Sequence, residues 1–237
     1  MNEAAAVVLT YGRVELDELL ACLERQTVQV PTLIYVDDVP ELVIEAPELA
    51  LGVVWRGATF PRSHSIGLVR RAAIEAARGC FGLTEASGVI VLDDDDFYSS
   101  RHFELTLKAL GEAPGGWTGG LAMGLTNNAS WPPEYVRSVS GVGQHATWAF
   151  RLGLYDQAGG YPDVGEEDTA LGYGMTWKKC LAHYHCTHVR RHHDTNLSGV
   201  CRYDRARMRA IGRLTLHARP RWTERCEALE QWCQAQR

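Results

Sequence analysis

The feature that most constrains this chain is the junction where Gly88–Leu92 (GVIVL) empties without a spacer into four aspartates, Asp93–Asp96. A short, contiguous apolar run of this kind, largely β-branched, suits a strand buried on both faces, as in a parallel sheet, and is too brief for a helix. Open parallel sheets bind ligands beyond the carboxyl ends of their strands, so the carboxylates stand where a site belongs. The pattern repeats upstream. Ala4–Thr10 (AAAVVLT) reads as a buried strand ending at the turn Tyr11-Gly12-Arg13, and Thr32–Val36 (TLIYV) runs into Asp37-Asp38 before Pro40 breaks it. Val53-Val54-Trp55 is a third short strand.

Helical periodicity separates these strands. Leu16, Leu19, Leu20 and Leu23 share one face of Val14–Gln26. Ile66, Val69, Ala73, Ile74 and Ala77 share one face of Ile66–Arg78, with Gly79 as the expected C-cap. His102–Leu110 is helical again. The alternation predicts an α/β fold, a mainly parallel sheet flanked by helices. From Gly111 to Gly165 the texture changes to Gly, Trp, Asn and Pro with weak periodicity, which suits an irregular, β-rich half. A short helix is expected near Glu166-Glu167-Asp168, then a His/Cys-rich stretch at 180–193 and a basic helical tail at 202–233. The expected organisation is one domain over 1–200, divided into a nucleotide-binding half (1–110) and an acceptor half (111–200), with a C-terminal extension over 201–237.

Composition narrows the setting. With 237 residues, 46% hydrophobic and 22% charged, the chain can bury a core of its own. No apolar run approaches the about 20 residues of a membrane-spanning helix, and the N-terminus lacks the basic and apolar blocks of a secretory signal. Seven cysteines, an odd number without CxxC spacing, fit reduced thiols. A cytoplasmic protein is expected. The net charge of −5 hides an asymmetry: residues 178–237 hold 13 Lys/Arg against 5 Asp/Glu, the rest 11 against 24. An acidic body with a basic tail raises the question of anionic partners.

Adjacent carboxylates repel one another, and a fold keeps them at a strand end when a cation offsets the repulsion. Hard divalent ions such as Mg²⁺ or Mn²⁺ take oxygen ligands, often one or two carboxylates together with substrate phosphates. A solvated acidic turn is the plainer alternative. Cys180, His183, His185, Cys186, His188, His192 and His193 could in principle supply a structural zinc site, although their spacing matches no standard zinc pattern. Surface histidines on a loop are the other reading.

An ordered set of segments over about residues 4–198 resembles the family 2-like glycosyltransferases of the GT-A fold. These segments are Ala6–Arg13, Tyr35-Val36-Asp37-Asp38, Val69–Gly79, Val91–Asp96, Gly159-Gly160-Tyr161-Pro162-Asp163 and Glu166-Glu167-Asp168. The resemblance implies that Thr10, Tyr11 and Arg13 line a base pocket, with Asp37 or Asp38 reading the base, and that Arg70 or Arg71 approaches the nucleotide. It implies Asp93 on the ribose side and Asp95 on a metal ion (Mn²⁺ or Mg²⁺) at the diphosphate of a nucleotide-sugar, a UDP-sugar above all. Asp94 with Asp96 is the other register of that motif. His193, with His192 beside it, matches a C-terminal histidine that many relatives bring to the metal. Two departures stand out. Val39-Pro40 replaces the usual Gly-Ser after the second-strand aspartates, and Arg71 replaces an Asn common in the helix before the metal motif.

Inverting sugar transfer, itself an implication of the likeness, needs a general base at the acceptor hydroxyl. Asp168 is the expected base, with Glu167 orienting it or the acceptor. Acidic residues in a helix's first turn also complement the helix dipole without any catalytic role. The arginines at 202, 205, 207, 209, 213, 219, 221 and 225 would suit backbone phosphates, and a hydroxymethylated base in DNA is one acceptor that fits them. A helical tail that packs its Trp, Leu and Ile inward is the plainer account. A nucleotidyltransferase on a similar sheet and a zinc-containing nucleic-acid binder are the rival functions. The first would want a Gly-rich loop where Tyr11-Gly12-Arg13 stands, and the second would leave the aspartates idle.

Overall fold

The computed structural model describes residues 3–10, 16–37, 53–58, 65–127, 131–137, 144–164, 167–175, 180–192 and 222–236. Strand β1 (Ala4–Thr10) is buried along its whole length. It lies between β2 (Thr32–Asp37) and β4 (Gly88–Asp93), parallel to both, and β3 (Val53–Ala58) continues the sheet beyond β2. The register sets Leu9 opposite Asp93, so Thr10 arrives beside the aspartate run.

Because side chains alternate across a strand, β1 feeds two cores. Ala5, Val7 and Leu9 join Val69, Ala73, Ile74 and Ala77 of helix α2 (Ile66–Phe81) on one face. Ala6 and Val8 join Leu16, Leu19, Leu20 and Leu23 of helix α1 (Leu16–Glu24) on the other. The leucine and alanine periodicities of the sequence are therefore the two faces of one sheet. Helix α2 runs one turn beyond the expected Gly79. Its C-cap is Gly82, at φ 63°, whose N–H bonds the carbonyl of Arg78. That left-handed conformation is the one a glycine is needed for; Gly79 remains on the exposed side of the helix.

After β4 come β5 (Phe97–Tyr98), helix α3 (His102–Glu112), β6 (Trp117–Gly120), β7 (Ala122–Asn127), β8 (Glu134–Arg137), a 3₁₀ turn over His145–Thr147, β9 (Ala149–Arg151) and helix α4 (Leu152–Gln157). Helix α5 (Glu167–Gly174), β10 (Leu181–His183), β11 (His188–His192) and helix α6 (Glu224–Ala235) complete the described chain. Among the described residues the strands form a seven-stranded sheet, β10-β6-β9-β4-β1-β2-β3, and a four-stranded one, β5-β11-β7-β8. Only β9 breaks the parallel order of the first, running antiparallel to β4 and β6.

Helix α6 is built into this core and is not appended to it. Cys226, Leu229 and Cys233 pack with α1, β4 and β5. The buried Glu230 accepts the N–H and the hydroxyl of Ser100 at 2.8 and 2.9 Å. Trp232 lies so close over β7 that a Cβ on Gly124 would meet its ring at 2.7 Å. The arginines from 202 to 221 lie outside the described residues. No disulfide joins Cys22, Cys80, Cys180, Cys186, Cys226 or Cys233 among the described residues. No helix among the described residues is long and apolar enough to cross a membrane.

Candidate active site

The four aspartates form the tight turn between β4 and β5, and burial divides them alternately. Asp94 and Asp96 are 5% and 3% exposed, whereas Asp93 and Asp95 are only half-buried. Each withdrawn carboxylate has a partner brought from far along the chain. The Thr10 hydroxyl donates to Asp94 Oδ2 at 2.7 Å, and His188 Nε2 lies 2.6 Å from Asp96 Oδ2. A carboxylate taken out of water without such a partner would cost several kcal/mol or take up a proton, roughly the penalty of an unpaired buried ion. Asp93 and Asp95 are thus the pair turned towards solvent. The pattern sets this pair apart from Asp94 with Asp96. It also gives Thr10 and Asp94, expected at the nucleotide, a supporting place: the Thr10 side chain is fully buried and its hydroxyl is committed to Asp94.

The two arginines of α2 separate as well. Arg70 reaches Asp93 Oδ1 at 3.2 Å from a largely buried position. Burial pushes the Asp93 carboxyl up, but the charge of Arg70, with His145 and His188, outweighs it and holds the group below the usual carboxylate range. Asp93 is thereby kept ionised. Arg71 instead donates to the carbonyls of Tyr161 and Gly159, at 2.8 and 3.3 Å. These belong to the Gly-Gly-Tyr segment, where Gly159 and Gly160 take φ of 84° and 70°. A Cβ on Gly160 would stand 2.9 Å from the Tyr155 hydroxyl, so Gly160 is required by both conformation and space, and Gly159, with open space around it, by conformation alone. The guanidinium of Arg71, which with Arg70 is one of two candidates to approach the nucleotide, ties this turn to α2.

The turn positions Tyr161, whose hydroxyl lies 2.7 Å from His145 Nε2, and His145 in turn acts electrostatically on Asp93. Nearby, Arg190 of β11 donates to Gln144 Oε1 at 3.2 Å. The sequence alone does not single out Gln144 and His145, which sit in the irregular half with no motif around them. Tyr98 is another residue of the site that the sequence leaves unmarked. Its hydroxyl accepts the Asp93 N–H at 2.8 Å, and burial, with Asp96 and Asp93 next to it, pushes the phenol well above its ordinary range.

Asp37 ends β2 opposite Ala58, with its side chain outside the described residues. Tyr11, Arg13, Asp38 and His193 lie outside them altogether. Glu167 and Asp168 open α5; the helix is seated by Leu171 and by Met175 just beyond it, both in the α2-side core, and the two carboxylate side chains are outside the described set. The Cys/His-rich stretch is spread over the end of β10, the segment after it and the start of β11. His183 and His188 point inward, His185 outward, and Cys186 is buried. No group of three or more His, Cys, Asp or Glu among the described residues is gathered to hold a metal ion, Cys180, His183, His185, Cys186 and His188 included. For Mg²⁺ or Mn²⁺ the donor chemistry fits differently. Asp93 and Asp95 offer hard oxygens at the mouth of the turn, and such ions complete their shell with phosphate oxygens and water.

No protein-family model matches the sequence. A curated relative, the "uncharacterized glycosyltransferase YwdF" of Bacillus subtilis (strain 168), is 34% identical over 111 residues, which are 44% of this chain and 37% of that protein. Among solved structures, S. aureus TarS 1-349 in complex with UDP-GlcNAc superposes with a TM-score of 0.58 at 13% identity, covering 84% of this chain and 61% of that one. The same protein in complex with UDP gives a TM-score of 0.52 at 14% identity over 80% and 60% of the two chains. The chain spans less than two thirds of the length of each of these proteins. Over the part it does span, it has the mainly parallel, helix-flanked sheet of the GT-A glycosyltransferase fold.

Proposed function

We propose that this chain is a metal-dependent, inverting glycosyltransferase that moves a sugar from a UDP-sugar to an acceptor hydroxyl. The observation that carries the reading is the alternate burial of Asp93–Asp96 at the carboxyl end of β4, which leaves Asp93 and Asp95 at the mouth beside Arg70. Support for the donor comes from the UDP and UDP-GlcNAc complexes of TarS and from the name of the Bacillus relative.

In this reading Asp95, with Asp93, holds Mn²⁺ or Mg²⁺, which supplies Lewis-acid stabilisation of the departing diphosphate. Arg70 keeps Asp93 charged. Tyr11, Arg13 and Asp37 or Asp38 hold the base, and His193 approaches the diphosphate end. Asp168 takes the proton of the acceptor hydroxyl as it attacks the anomeric carbon, and Glu167 orients the two. The acceptor lies against the second half of the chain. A DNA acceptor rests on the arginines from 202 to 225, and retention of duplex DNA only at very low salt would count against it.

A thermal-shift panel of nucleotide diphosphates and nucleotide-sugars, each with and without Mn²⁺, tests the reading. Saturation at about 100 times the dissociation constant stabilises a folded protein by about 2.7 kcal/mol. A metal-dependent rise in melting temperature with uridine nucleotides, absent in Asp95→Ala, is the expected outcome. Folded protein that no nucleotide shifts would overturn it.

A further inference from the structure

We propose that His188, Tyr98 and Asp96 form a buried brace that positions the aspartate turn, so that Asp95 is presented to the diphosphate by residues that never touch it. The proposal rests on the donor-site reading above and extends it to residues behind the turn.

The turn is held at both ends. At its start the Asp93 N–H is bonded to the Tyr98 hydroxyl at 2.8 Å. At its close the Asp96 carboxylate lies 2.6 Å from His188 Nε2, with both side chains almost fully buried, 3% and 1% exposed. The two residues that grip these ends are themselves a cross-strand pair. In the short antiparallel ladder of β5 and β11, His188 stands directly opposite Tyr98, and their rings pack 5.2 Å apart. Directly opposed residues are the closest side-chain neighbours a sheet provides. His102 closes the far side, packed 4.8 Å from Tyr98 and hydrogen-bonded through Nδ1 to Thr187 Oγ1 at 2.8 Å.

Physical necessity ties the elements together. Four neighbouring carboxylates repel one another, and an unsupported turn would splay them into solvent. Withdrawing Asp96 removes one charge from the mouth and fixes the turn's trajectory, but only because a hydrogen-bonding nitrogen waits inside. Strand β11, from the far half of the chain, delivers that nitrogen. The brace thereby makes the geometry of Asp95 depend on the docking of β11 against β5.

Side chains that orient ligand-bearing groups from behind typically change metal affinity or activity about 10- to 100-fold when removed. His188→Phe keeps a ring against Tyr98 and removes the nitrogen; His188→Gln retains an N–H at the reach of Nε2. Titration calorimetry of UDP, with and without Mn²⁺, is expected to show the Mn²⁺-dependent gain in affinity reduced about 10-fold or more in His188→Phe. Metal-free UDP affinity should be unchanged, and His188→Gln should stay close to the parent. Equal losses in Phe and Gln, or none in Phe, overturn the brace.

A second readout needs no nucleotide. Hydrogen exchange in ligand-free protein should find the amides of the Asp93–Asp96 turn exchanging about tenfold faster in His188→Phe and in Tyr98→Phe, since local opening sets their protection. Unchanged protection there refutes the brace whatever the nucleotides do. A parent protein that binds no UDP, but whose turn loosens in these variants, keeps the brace and discards the donor reading.

Discussion

In residues 4–112 four strands lie side by side in parallel, and each long helix covers one face of them. In residues 117–192 the strands are three to six residues long, and they are shared between two sheets. β9 enters the main sheet against the grain between β4 and β6, while β7, β8 and β11 build a separate sheet onto β5. The first half is organised by patterns contained within each segment. The second is organised by what its segments meet. The candidate site lies on the seam, where Asp93 and Asp96 from the first half meet His145, Tyr161 and His188 from the second. In the proposed function the first half holds the nucleotide and the second faces the acceptor.

If that division of labour is right, the two halves should fail differently. The largest effect is expected from Asp168→Asn. As the proposed base it should lose sugar transfer by about 10²–10⁴-fold, the usual worth of a positioned acid–base group, with UDP affinity intact. Steady-state transfer assays beside calorimetry of UDP make the comparison. Near-normal turnover would move the base elsewhere, and a parallel loss of donor binding would mean that α5 serves the nucleotide half as well.

The same contrast governs what the sequence makes legible. β1, β4, α2 and α3 are visible because burial follows from their own composition: seven contiguous buried residues in β1, one apolar stripe in α2. The cap of α2 is displaced by a turn because two glycines, Gly79 and Gly82, compete on composition, and only the backbone conformation tells them apart. Trp117–Gly120 and Leu181–His183 carry no strand signature of their own and become strands by pairing, the second with the first and the first with β9 as well. The run Asp93–Asp96 marks the site, but not which carboxylates face outward. That is decided by Thr10 and His188, 84 and 92 positions away. The histidines of 183–188 lie close in sequence and suggest a metal cluster; His183 closes β10 in one sheet with His185 packed beside it, while His188 opens β11 in the other.

Acid should distinguish the seam from the rest at the next level of effect. Burial, with His185 close by, pushes the His183 imidazole down to about 4, and His102 is driven well below its ordinary value by burial and by His188 and His183. Both are therefore neutral in the folded protein and take up protons readily once unfolded, near pH 6.5. The unfolded state binds more protons in that interval, so stability falls as pH falls. For His183 the loss begins near 6.5 and is complete by about 4; it is at most about 3.5 kcal/mol at roughly 1.4 kcal/mol per unit. Urea midpoints measured across this range should decline, and His183→Leu, which cannot titrate, should flatten the decline. An unchanged slope in that variant would mean that the seam tolerates a charged His183.

The smallest effect concerns a single point where the halves are tied. Ser65 caps α2, accepting the Leu68 N–H at 3.3 Å, and its own hydroxyl donates to Asp163 Oδ1 at 2.5 Å. Asp163 follows the Gly-Gly-Tyr-Pro turn that Arg71 also grips, so one exposed carboxylate from the second half closes the amino end of the first half's main helix. Ser65→Ala should cost about 1 kcal/mol, the ordinary worth of a serine cap. Asp163→Ala should cost less, because its bonds are exposed to water. The pair decides how the halves communicate. If Asp163 acts by orienting the Ser65 hydroxyl, the double variant is no less stable than Ser65→Ala alone, and the cycle shows coupling as large as the Asp163 effect. If the two losses add, the second half anchors this turn without help from the cap, and the halves touch here as independent surfaces.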